Sequence, residues 1–213
     1  MIKKLWILIF VAGLCSCENS NEHDKDNSDS EVETQPIEES AEEETQEAVS
    51  FKDEVDFAKY CSSQLENGNI DALGSFVRET ILFSPYAYIN QSTARKVTLD
   101  EIAAHTNDIH YWGVYDGRGD SILMTTPEYL NQFVLRFSLN DEVVKINTYN
   151  DKPKAYGNEL HNMHKIYPDA MFVEFYHPPS NDGYMDWNAL IYVVEMKDDQ
   201  YILRAIVHNQ WTT

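Results

Sequence analysis

Residues 187–209, WNALIYVVEMKDDQYILRAIVHN, decide the fold. Two runs rich in Ile, Val, Leu and Tyr flank Asp198-Asp199. Such runs favour extended chain, and a short polar pair between them suits a tight turn. The stretch predicts an antiparallel hairpin with strands over 187–197 and 200–209. Strict alternation in the second strand would place Ile202, Arg204, Ile206 and His208 on one face. Tyr201, Leu203, Ala205 and Val207 would then take the other. Upstream, Met171 to Tyr176 reads as a third strand.

Toward the N-terminus the spacing turns helical. From Phe51 to Leu65 the apolar positions 51, 55, 57, 58, 61 and 65 mark a helix that Asn67-Gly68-Asn69 ends. Ile70 to Val77 reads as a second, shorter helical piece. Ile81 to Ile89 reads as a strand in which Pro85 forces an edge or bulge. Thr98, with Glu101 as the capping-box acid, opens a short helix. Ile109 to Tyr115 alternates and stops at the turn 116–120. Thr126, followed by Pro127, caps a helix running through Phe137, and Gly157 to Ile166 forms a weak one. Helices early and a hairpin late predict an α+β domain, with early helices packed on a curved antiparallel sheet. One architecture of that kind is the NTF2-like cone; the step is analogy.

The domain occupies 51–213 of the 213 residues, enough for one sizeable core. It carries a charge of −10, residues 18–50 carry −12, and the whole chain carries −20. That balance argues against nucleic-acid partners and against electrostatic docking on an anionic membrane.

Residues 1–17 give the expected location. Lys3 and Lys4 precede the apolar run Leu5 to Leu14, which is too short to span a bilayer and fits a secretory signal. Leu14-Cys15-Ser16-Cys17 resembles a bacterial lipobox. It implies a signal peptide over 1–16, acyl chains on Cys17, and export to the cell envelope with a lipid anchor, in the outer membrane, periplasmic or surface-facing. Residues 17–50 then form an acidic tether, too poor in apolar residues to fold. Glu18, Glu22, Asp24 and Asp26 look like the surface-export tracts of some Gram-negative lipoproteins, or serve only as a solvated spacer. Cys61 reads as a small buried hydrophobe.

Four segments, FSPYAYI (83–89), YWGVYDG (111–117), GYMDW (183–187) and IVHNQWT (206–212), together resemble a family of bacterial lipoproteins and secreted domains with no assigned activity. The likeness spans about residues 70–213 and implies location and domain extent. Members of that family usually carry Asp where this chain has Asn209, and tend to have a small residue where it has Arg118.

Several groupings bear on chemistry. Asp186 and His208 would approach each other at one end of the hairpin, where an Asp–His pair can do general acid–base work. Tyr88, Trp112, Asp116, Arg204 and Trp211 would line a cavity mouth there, with Trp211 packed inward and His208 facing the cavity beside Arg204. The structural alternative has Asp186 capping a turn and His208 holding a backbone carbonyl. His161 and His164, with His177 or Glu174, are spaced for a metal but read better as solvent-facing histidines, and no cofactor is expected. Arg118-Gly119-Asp120-Ser121 matches an adhesion string, although turn chemistry explains it. Two functions follow. One is a non-catalytic, lipid-anchored domain that binds a small molecule, glycan or envelope partner. The other is a hydrolase or isomerase using Asp186 and His208.

Overall fold

In the computed structural model, which describes residues 49–115, 117–136, 138–139, 143–146, 161–182 and 185–210, Asp53 starts the first helix. Its carboxylate accepts the Asp56 N–H at 2.9 Å, and α1 runs Glu54–Asn67. Gly68, at φ +71°, closes it in the left-handed conformation that a residue without Cβ adopts freely. Phe57, Cys61 and Leu65 are buried along one stripe, as the spacing requires. The second helical piece shrinks to a single 3₁₀ turn, Ile70–Leu73. Beyond it the Phe76 carbonyl accepts the Leu203 N–H at 2.8 Å, so the chain there serves the sheet.

β1 (Ile81–Ser84) ends where Pro85 offers no N–H to a ladder. β2 (Arg95–Val97) turns back on it, and α2 (Leu99–Ala103) follows with Thr98 as N-cap. β3 (His110–Val114) and β4 (Ser121–Met124) form a separate hairpin. α3 (Thr126–Phe133) begins one residue earlier than expected in its capping: Thr125 is the N-cap, and its N–H donates to Glu128 Oε2 at 2.8 Å. β5 (Val143–Ile146), α4 (Met163–Ile166), β6 (Met171–His177), β7 (Asn188–Lys197) and β8 (Gln200–Gln210) complete the order. Asp198 and Asp199 both have positive φ, +54° and +60°, the signature of the two-residue turn that matches strand twist.

The domain is α+β, as expected, but its six-stranded sheet is mixed rather than antiparallel. The order is β2-β1-β8-β7-β6-β5, and β1 lies parallel to β8, with Phe83 opposite Ile206. Each face of the sheet carries a core. Phe83, Val173, Phe175, Leu190, Tyr192, Val194, Leu203 and Ile206 pack under α1, α2, α3 and the β3–β4 hairpin. Leu82, Phe172, Ala189, Ile191, Val193, Ala205 and Val207 pack under α4 and the segment after β1.

The expected face assignment in β8 fails at Arg204. Val193 pairs with Ala205 and Val194 with Leu203, so Arg204 is an extra residue, a bulge. A one-residue insertion inverts the alternation on either side of it. Leu203 and Ile206 therefore share the helix-covered face, while Ala205 and Val207 share the other.

Ala48–Thr213 forms one compact unit. The expected signal peptide, Cys17 and nearly all of the acidic tether lie outside the described residues, as do Asp116, Trp211 and residues 157–160 of the weak helix. Among the described residues no helix is long and apolar enough to cross a membrane.

Candidate functional site

Described residues from the four quoted segments lie near one another at one end of the sheet. His208 Nδ1 lies 3.2 Å from the Pro85 carbonyl, joining the first segment to the last across 123 residues. Gly113, at φ +120°, lies against the same proline: a Cβ there would stand 3.6 Å from Pro85 Cγ. The third segment joins through β7, where Asn188 pairs with Gln210. Within the first and third segments, Tyr88 (57%) and Met185 (56%) are exposed.

Inside it, the aromatic residues stack rather than enclose a space. Trp112 lies 4.0 Å from Tyr129 at an interplanar angle of 12°, and Tyr129 lies 4.8 Å from Phe133. Phe133 meets the His208 ring edge-on at 5.3 Å. Trp112 is buried, and its indole N–H donates to the Met124 carbonyl at 2.9 Å. It is core, not cavity lining.

His208 is 2% exposed. A carbonyl only accepts, so its Nδ1 carries the hydrogen. Burial is the main cause that lowers its pKa to about 4, with Arg136 adding to the depression and the Pro85 bond opposing it. The ring is neutral near pH 7. Asp186 is exposed and accepts the Ser180 N–H at 3.0 Å; the Ser180 hydrogen bonds hold its carboxyl below the usual range. It lies two residues before β7 begins, whereas Leu190, the cross-strand partner of His208, is inside that strand. The structure gives the two groups separate structural partners rather than each other.

Arg204, expected beside His208, is on the opposite face because of the bulge. Its guanidinium reaches Glu195 at 3.5 Å, near the Tyr167 phenol. His161 and His164 do sit together, rings 5.5 Å apart, and burial followed by the His164 charge lowers the His161 pKa. Glu174 instead approaches Lys145 at 3.9 Å, and among the described residues no group of three His, Cys, Asp or Glu could hold a metal ion. In the adhesion-like string, Arg118 covers the Tyr115 ring at 5.0 Å and lies 4.0 Å from Asp120, a turn closed on itself.

The sequence reading missed one polar cluster. Glu101 Oε1 accepts from the Arg95 guanidinium and from Thr126 Oγ1 at 3.2 Å, and His110 Nε2 lies 3.6 Å away. Arg95 also sits over the Trp112 ring at 5.3 Å. The Thr98–Glu101 spacing announces a capping box, yet the Glu101 carboxylate turns to Arg95, and no local pattern signals that choice.

No protein-family model matches the chain, and no curated protein matches it.

Proposed function

We propose that this protein is a lipid-anchored component of the cell envelope whose domain binds a partner or small molecule without transforming it. The reading joins the lipobox at Cys17 to a single observation in the fold. Segments dispersed over 130 residues of sequence converge on one end of the sheet, and their titratable members there are occupied in holding loops. A buried neutral histidine bonded to Pro85 and a carboxylate bonded to Ser180 favour recognition over acid–base chemistry. The helix-on-sheet layering supports a cone of the NTF2-like kind, with the converged end as its mouth. Acyl chains on Cys17 would hold the domain at the outer membrane, and the acidic residues 18–50 would space it from the lipid surface.

One experiment in intact cells tests both halves. A photoreactive aromatic amino acid in place of Tyr88 should form a specific adduct, whereas the same residue in place of the exposed Lys59 on α1 should not. Labelled palmitate should enter the protein and be lost in Cys17→Ser. Equal labelling at positions 88 and 59, or none at 88, removes the binding reading. Palmitate retained by Cys17→Ser removes the anchor.

A further inference from the structure

The β3–β4 hairpin is covered on one face only. Trp112 and Ile122 are buried in the helix-side core. On the other face Tyr111 pairs with Leu123, and Val114 pairs with Ser121. Strict alternation would send Val114 to the side of Trp112. One extra residue in β3 between those two pairs, with Gly113 at φ +120°, returns it to the side of Tyr111. Ile109 precedes the strand, two residues before Tyr111, and the His110 ring between them meets Trp112 edge-on. Ile109, Tyr111, Val114 and Leu123 are between 42% and 68% exposed, and neither core includes any of them. Folding thus buries the inner face of the hairpin and leaves an uncharged, apolar strip outside.

Size and charge select what covers the strip. Four half-exposed side chains amount to roughly 400 Å², against ~800 Å² per partner in a stable protein–protein interface. A second copy would also bring a charge of −20 against −20. A lipid surface meets neither obstacle when the chain is acylated at Cys17. Residues 18–48 alone separate that cysteine from Val49, and as a coil they reach ~30 Å. A domain of this length has a radius of gyration of ~15 Å, so the tether would hold it near the lipid and leave it free to turn this face inward. Tyr111 belongs to the strip, and a ring with a polar tip settles at headgroup level. The charged residues at its ends, Asp108, Arg118 and Asp120, are exposed and stay in water. We propose that the outer face of the β3–β4 hairpin docks on the lipid surface that anchors Cys17. The contact is apolar, so a zwitterionic surface suffices, and anionic lipid adds nothing for a chain of this charge. The assignment rests on the proposed anchor at Cys17 and names the face that meets the membrane.

The test uses the full chain, purified from cells and reconstituted into phosphatidylcholine vesicles that carry a radiolabelled phospholipid. A diazirine-bearing amino acid replaces Leu123, Tyr111 or, for comparison, the exposed Lys59 on α1. Illumination should attach lipid at positions 123 and 111 and little at 59. Ile109→Asn combined with Leu123→Asn should lower labelling at 111 about fivefold or more, through the apolar area lost from the contact. The melting temperature of that variant should match the unaltered protein, because both side chains are exposed in the free domain. Replacing part of the phosphatidylcholine by phosphatidylglycerol should not raise the labelling. Equal labelling at 59, a gain with phosphatidylglycerol, unchanged labelling in the double variant, or a cross-linked product of two chains overturns the docking. Mass spectrometry of the same sample separates the two readings. Acyl chains without lipid label on the strip remove the docking and leave the anchor. Lipid label without acyl chains removes the anchor and leaves the docking, and absence of both removes both.

Discussion

His208 sits against Pro85 and Phe133 with 2% of its surface exposed, so protonating it means charging a buried ring whose neighbours include a cation, Arg136. Its pKa of about 4 in the fold compares with about 6.5 in an unfolded chain. Between those values the unfolded state takes up a proton that the folded state refuses, so stability falls as pH drops from about 6.5 toward 4 and is unaffected above 7. The full difference is ~3 kcal/mol. His161, lowered by burial and by His164, adds the same sign. His208→Gln, which keeps a donor for the Pro85 carbonyl, should flatten the fall in urea midpoint between pH 7 and pH 4.5. An unchanged slope in that variant would mean the ring is not the group being titrated. The residue expected to face a cavity is thus a buried pin, because the bulge at Arg204 and the parallel partner strand both lie beyond what alternation in β8 reveals.

At the level of elements, the long periodic segments were legible, and so were β1, β3 and α2 through their apolar runs and the Thr98 cap, whereas β2, β4 and β5 were not. α1, β6, β7 and β8 follow from apolar spacing over seven or more residues, and the Asp198-Asp199 turn from its dipeptide. β2, β4 and β5 are three or four residues long and carry too few alternations to register. Their positions are set by partners: β2 by β1, β4 by β3, and β5 by β6. The Glu101 cluster has the same non-local origin, tying β2, α2, β3 and α3 through one carboxylate. Arg95 and Glu101 keep only 23% and 26% of their side-chain surface exposed, so removing one leaves a half-desolvated charge behind. Glu101→Ala should destabilise by ~1–3 kcal/mol. The double variant with Arg95→Ala should cost less than the sum of the singles. Additive losses in guanidinium titrations would show that the pair contributes nothing beyond packing.

For the whole molecule the decisive fact is where the last strand goes. β8 is the last of the described elements in chain order, yet it lies inside the sheet, between β1 and β7. The helix-side and opposite cores both draw residues from it, Leu203 and Ile206 on one side and Ala205 and Val207 on the other. Without it, β1 and β2 have no sheet to join, and the converged end loses the His208–Pro85 link. Contacts across so much sequence carry a loop-closure cost that only the assembled sheet can offset. A chain truncated before Ala205 should therefore show no cooperative thermal transition and should be digested throughout by protease. Adding a peptide of residues 200–213 in trans should restore protection in part, since the missing strand is a discrete ladder partner on both edges. A truncated chain that melts cooperatively within a few degrees of the full protein would refute this, because the remaining strands would then have to close a sheet of their own, with β1 paired directly to β7.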